Sequence, residues 1–245
     1  MQPPIYVPKG AAKEYGDLAL NIYTGCNHDC FYCFAPSVLH KTREDFRKVE
    51  PRKDIVNEVR KQLEKEQITG KLIHLCFTCD PYPADIDTTT TREIIKLLKS
   101  YGNHVQILTK GGYRAERDFD LLDENDWFGV TYCGYPMEDR TIHSDISMFE
   151  PNAAPPSERL LSTLLCPAKR WVSMEPVLDV QDALNLLDPQ VSGYRFDLYR
   201  IGKLNYHPSS IPWHDFGNAA EAICIERGLN YYIKDGLRAD MEKSI

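Results

Sequence analysis

The chain has 245 residues, 42% hydrophobic and 27% charged, so it is neither disordered nor collagen-like and can bury a core without staples. Its net charge of −7 argues against a protein that coats nucleic acid through bulk charge, although a local basic cleft survives that argument. No apolar run reaches the roughly 18 residues of a membrane span, and Met1-Gln2-Pro3-Pro4 lacks the features of a signal peptide, so a cytoplasmic location without a membrane partner is expected.

Along the chain, extended and helical patterns alternate. Leu18–Tyr23 reads as a strand, and Pro51–Glu66 as a helix with Ile55, Val56, Val59 and Leu63 on one face. A strand at Leu72–Thr78 and a helix at Thr91–Ser100 follow, then a strand at His104–Thr109 and a helix at Glu116–Glu124. Trp127–Tyr132 is the next strand. Pro151–Pro156 reads as a loop into a helix at Ser157–Leu165. The series closes with strand Trp171–Glu175, helix Val180–Leu187, strand Asp197–Ile201, helix Trp213–Arg227 and strand Tyr231–Lys234. Such alternation predicts an α/β fold with a parallel sheet, and six or seven units in a row favour a full or partial barrel. Residues 1–245 read as a single domain.

Polar and reactive residues recur where the strands end: Cys26, then Thr78 and Asp80, then Thr109 and Lys110, then Thr131 and Cys133, then Glu175, then Lys203 and Asn205, then Lys234. Parallel α/β folds build their sites at the carboxyl ends of strands.

The chain has eight cysteines, and without a secretory signal these point to metal binding or catalysis rather than a disulfide framework. Cys26, Cys30 and Cys33 fall within one short loop, spaced C-x3-C-x2-C. Three thiolates can wrap one face of an iron–sulfur cluster and leave one iron open. A zinc site needs a fourth ligand, and His28, inside the loop, is poorly placed to be one. A disulfide with a spare thiol is the remaining alternative. On the residues alone, an enzyme and a non-catalytic iron–sulfur electron carrier or redox sensor both stay open.

The cysteine spacing, with Tyr32 just before the last cysteine, resembles the signature of the radical S-adenosylmethionine (SAM) superfamily. Tyr23-Thr-Gly-Cys26, Phe77-Thr-Cys-Asp-Pro-Tyr-Pro83, Leu108-Thr-Lys110, Ser173-Met-Glu-Pro176, Ile201-Gly-Lys203 and Tyr232-Ile-Lys-Asp235 are similar to its spore photoproduct lyase-like branch. The resemblance implies a partial (β/α)6 TIM-type barrel. It also implies a [4Fe–4S] cluster on Cys26, Cys30 and Cys33 that binds SAM at its open iron. One-electron cleavage of SAM then gives a 5′-deoxyadenosyl radical that abstracts hydrogen from substrate. The branch points to a thymine-type or other nucleobase in DNA or a nucleotide, and to a reducing partner of the flavodoxin or ferredoxin type. Phe34 departs from the branch's lyase, which has a second tyrosine there, whereas Tyr32 is kept.

The same resemblance makes Thr78, Asp80, Lys110, Thr131 and Glu175 candidate cofactor-binding residues, with Asp80 toward the amino group and Lys110 toward the carboxylate of SAM. Tyr32, Cys76 and Cys79 are candidate catalytic residues, since the lyase uses a cysteine in this stretch as a hydrogen-atom donor. Positions three apart in a strand face opposite ways, so one of Cys76 and Cys79 is expected in the pocket and the other in the core. Cys133 is a third candidate thiol; Cys166 and Cys224 read as packing residues. His40, His74, His104, His143, His207 and His214 have no metal-ligand spacing and read as structural. Lys203 and Lys234, at late strand ends, are expected to face an anionic substrate.

Overall fold

The computed structural model describes residues 3–134 and 149–243; His143 lies outside them. Eight strands form one sheet in sequence order: β1 (Ile5–Tyr6), β2 (Leu18–Leu20), β3 (Leu72–Leu75), β4 (His104–Thr109), β5 (Trp127–Thr131), β6 (Lys169–Met174), β7 (Leu198–Ile201) and β8 (Tyr231–Ile233). From β2 to β8 every pairing is parallel, and β1 pairs antiparallel with β2. β1 and β8 are edges that do not pair with each other, so the sheet is an open, partial barrel with helices along its outside.

The pleat explains both faces. Ile73 and Leu75, Val105 and Ile107, Phe128 and Val130, Val172 and Met174, and Tyr199 and Ile201 belong to the buried apolar core. These residues alternate with His74, Gln106, Gly129, Ser173 and Arg200, which turn to the concave side. The helix at Ile55–Glu66 buries Ile55, Val59 and Leu63, and the helix at Thr89–Ser100 buries Ile94, Ile95, Leu97 and Leu98. Each fully buried aliphatic side chain contributes about 1.5–3 kcal/mol. Gly129 must lack a side chain: a Cβ there would lie 2.3 Å from the Trp171 ring, which fills the barrel and donates from Nε1 to the Ile107 carbonyl at 3.0 Å.

Three expectations change. Two strands stop early, β2 at Leu20 and β3 at Leu75, because the next residues turn into the site; Asn21 Oδ1 accepts the backbone N–H groups of Phe77 and Thr78, each at 2.8 Å. The segment expected as a helix at Glu116–Glu124 is a 3-10 helix over Gly112–Leu121, with the buried Asp118 carboxylate tied to Arg92 and Arg117. β1, two residues long and without a readable pattern, is held by Gln62, which accepts from Ile5 N and donates to Ile5 O at 2.8 Å each.

Candidate active site

The three-cysteine loop leaves β2 and is pinned by its backbone. Cys26 N donates to Phe46 O at 2.9 Å, and Phe31 N to Phe149 O at 2.9 Å. Asn27 exchanges hydrogen bonds with the Ala84 backbone at 2.6 and 3.0 Å, and Arg43 Nη1 donates to Cys30 O at 3.0 Å. Gly25 is required, since a Cβ would meet Phe46 O at 2.0 Å. With the main chain held this way, Cys26, Cys30 and Cys33 all line one cavity of about 540 Å³ at the carboxyl ends of the strands. Burial pushes the Cys30 thiol up to about 12 and also raises Cys26 and Cys33, with Lys110 opposing the rise at Cys30 and Cys33. Metal binding here must therefore release protons. His28 is no fourth ligand: its Nδ1 lies 3.4 Å from Asp80 Oδ2 and its Nε2 contacts Arg114 Nη2 at 2.9 Å.

Thr78, Asp80, Lys110, Thr131 and Glu175 border the same cavity, as do Tyr32, Cys76 and Cys79. Pleat and strand termination together bring these residues to one place, whereas Cys133 is fully buried and does not line the cavity. Their states differ. Thr78 Oγ1 is buried with no hydrogen-bond partner among the described residues. The Lys110 ammonium lies 5.5 Å from the Tyr32 ring centroid and makes no hydrogen bond or ion pair with the described residues. Burial disfavours its charge, but Cys30, Glu150 and Cys133 outweigh this and raise its pKa.

Asp80 is committed to the protein. Oδ1 accepts from Tyr82 N at 2.8 Å and Thr109 Oγ1 at 2.6 Å, and Oδ2 accepts from Lys110 N at 2.8 Å. Burial works against its charge, yet His28 and these donors hold its carboxyl well below the usual range. Asp80 thereby locks the ends of β3 and β4 together and fixes the backbone of Lys110. Glu175 accepts from Tyr15 Oη at 3.0 Å, from Asn205 Nδ2 at 2.9 Å and from Lys234 Nζ.

The late lysines border the same cavity, but each already has an anionic partner in the protein. Lys234, 4% exposed, is paired with Glu175 and with Glu14 at 3.2 Å, and Lys203 with Asp240. The carboxylates come from segments remote in sequence, which strand-end position could not reveal. Cys76 and Cys79 also correct the alternation argument: β3 ends between Leu75 and Cys76, so both thiols border the cavity.

Sequence reasoning missed a buried cluster beside the loop. Tyr32 Oη lies 3.2 Å from Cys133 Sγ and donates to Glu150 Oε1; Glu150 Oε2 pairs with Arg159. Glu150 and Arg159 are 1% and 0% exposed. Arg159 also donates to Thr131 O at 3.1 Å, which fixes the end of β5. In sequence, Ser-Glu-Arg-Leu at the start of a helix looks like an ordinary solvated turn, and nothing local marks Arg159 as buried.

An open parallel barrel with three thiols from one loop and polar strand ends around one cavity defines the class: an α/β protein whose candidate site lies at the carboxyl ends of its strands. The comparisons specify it. Residues 20–138 match the family model of the radical SAM superfamily, a superfamily of enzymes that implies a [4Fe–4S] cluster and SAM as cofactors. Among solved structures it is similar in fold to a cysteine-to-serine mutant of spore photoproduct lyase, with a TM-score of 0.69 and 11% identity over 94% of this chain and 79% of that one. It is also similar to spore photoproduct lyase complexed with dinucleoside spore photoproduct, with a TM-score of 0.67 and 12% identity over 93% and 79% of the two chains. No curated protein matches it by sequence. No helix among the described residues is long and apolar enough to cross a membrane.

The residues present fit both cofactors: three thiols converge on the cavity, and beside them lie an unpartnered buried hydroxyl and an uncommitted ammonium.

Proposed function

We propose that Cys26, Cys30 and Cys33 hold the [4Fe–4S] cluster and that SAM lies across the ends of β3 to β6, in an enzyme that abstracts hydrogen from a nucleobase-type substrate. The observation that carries this reading is that Cys26, Cys30, Cys33, Thr78 and Lys110 all line one cavity. When bound, the cluster and SAM supply a one-electron cleavage that yields a 5′-deoxyadenosyl radical.

The chain's own residues orient and protect. Lys110 pairs with the SAM carboxylate through a charge-assisted bond, and Thr78 Oγ1 and Thr131 border the rest of the cofactor. Asp80 acts as a positioning residue that sets Lys110 and His28. Glu175, with Tyr15 and Asn205, lies at the ribose or substrate end. The pocket walls exclude water from the radical. Cys76 or Cys79 then gives its S–H hydrogen to the substrate carbon radical: a C–H bond forms, the S–H bond breaks and a thiyl radical remains. Tyr32, whose Oη lies between Cys133 and Glu150, is assigned to return a hydrogen atom to that thiyl: its O–H bond breaks, the S–H bond re-forms and a tyrosyl radical remains. A reductant of the flavodoxin or ferredoxin type supplies the electron.

A thymine-type base in DNA or a nucleotide is favoured as substrate, because the similar lyase structure holds a dinucleoside photoproduct. The test is deuterium transfer into 5′-deoxyadenosine from labelled nucleosides, nucleotides and oligonucleotides. Transfer from a thymine-containing member supports the reading. Transfer only from non-nucleoside metabolites of a cell extract overturns the substrate class.

A further inference from the structure

Cys76-Phe77-Thr78-Cys79 forms a C-x-x-C turn immediately after β3, and both sulfurs border the cavity. The two residues are separated by only Phe77 and Thr78 in this turn, which places their side chains beside the same stretch of cavity. Cys79 Sγ also accepts the Tyr23 N–H at 3.4 Å. Arg52 Nε is fixed on Tyr23 O at 3.1 Å, which places a positive charge nearby. Cys76 is 7% exposed and Cys79 is the more open of the two. A single hydrogen-donating thiol would not need the second sulfur.

We propose that Cys76 and Cys79 are a redox couple, a modification site at which a small organic disulfide is reduced while an intramolecular Cys76–Cys79 disulfide forms. The Cys79 thiolate attacks one sulfur of R–S–S–R, that S–S bond breaks and one RS⁻ leaves. Cys76 then loses its proton, attacks the Cys79 sulfur and expels the second RS⁻. The two cysteines lose two electrons in total, and R–S–S–R becomes two thiols. The asymmetry of the pair suits this order. Burial disfavours charge on both, yet the Cys76 thiol and the Tyr23 and Ile22 backbone lower Cys79, whereas Cys76 is pushed well above the ordinary thiol range. Closure removes the S–H hydrogen of Cys76 and draws Thr78 into a tight ring, so oxidation silences hydrogen donation and reshapes the cradle around Thr78 Oγ1. Bond formation itself is independent of the catalytic reading.

The test treats the reconstituted full chain anaerobically with hydroxyethyl disulfide, quenches it in acid, alkylates it with iodoacetamide and digests it with trypsin. Both cysteines fall in the peptide Leu72–Arg92, which contains no other cysteine. The expected product is this peptide unalkylated and lighter by two hydrogens, returning to the doubly alkylated form after treatment with dithiothreitol. In Cys76→Ser, Cys79 should stall as a mixed disulfide with mercaptoethanol. In Cys79→Ser, Cys76 should stay free and alkylatable. A doubly alkylated wild-type peptide under conditions that oxidise other thiols of the protein would overturn the proposal, and so would linkage of Cys76 to Cys26, Cys30 or Cys33. Loss of SAM cleavage alone would leave this readout unchanged, which separates the two claims.

Discussion

Two arcs of the same strand-end rim treat their charges in opposite ways. Along the ends of β6 to β8, Glu175, Lys234, Glu14, Lys203 and Asp240 are paired with one another inside the protein. Along the loop after β2 and the ends of β3 and β4, Cys26, Cys30, Cys33, Thr78 and Lys110 line the cavity, the Thr78 hydroxyl without a hydrogen bond and the Lys110 ammonium without an ion pair among the described residues. Burying a polar group without a partner costs stability, so natural folds keep such groups where a ligand satisfies them. On the proposed function the second arc is the cofactor cradle, and the first, with Glu175 at its cavity edge, is held in place by its own ion pairs.

That division gives a graded set of outcomes. Largest is the loop itself: replacing Cys26, Cys30 and Cys33 together with Ala should abolish iron–sulfur absorbance after reconstitution. An intact cluster in that variant would place it elsewhere. Next is Lys234→Ala, which leaves Glu175 and Glu14 without their cation. Breaking a buried pair costs about 3–5 kcal/mol, a fall in melting temperature on the order of 10 °C for a chain of this size. An unchanged melting temperature would dissolve the contrast between the arcs.

Beneath both arcs, His74 Nδ1 lies 2.9 Å from Gln106 Oε1, the ring stacks on Phe77, and the buried Nε2 has no hydrogen bond among the described residues. Burial lowers its pKa from 6.5 to about 4, with the Arg200 charge helping and the Gln106 bond opposing. The unfolded chain thus binds a proton before the folded one does. Stability is full above about pH 6.5, falls by about 3 kcal/mol as pH drops to 4 and levels below it. Denaturant titrations of His74→Gln between pH 4 and 7 should lose this slope; a slope equal to wild type would assign it to other groups.

Smallest in free energy is Lys110→Ala, which removes a charge-assisted bond worth about 1.5–3 kcal/mol. SAM should bind roughly tenfold more weakly or worse, with the cluster spectrum and melting temperature retained. Equal affinity would take Lys110 out of the cradle.

Much of this was legible in the sequence because it is local. Alternation of strand and helix patterns pointed to the parallel barrel, strand-end polarity to the positions of Thr78, Lys110 and Thr131, and the three-cysteine loop announced itself by spacing. What stayed hidden depends on contacts between distant segments. The partners of Lys203 and Lys234 lie on an N-terminal turn, a neighbouring strand end and the last helix. Arg159 is buried only because Glu150 and the end of β5 meet it there. The Cys76–Cys79 pairing depends on β3 ending at Leu75, a boundary that alternation alone does not mark.

The most direct test of the central claim is incubation of the anaerobically reconstituted protein with SAM and dithionite, with 5′-deoxyadenosine quantified. The account predicts release of 5′-deoxyadenosine from wild type and none from Cys30→Ala. A stable, reducible cluster that never yields 5′-deoxyadenosine would contradict it and leave an electron carrier in its place.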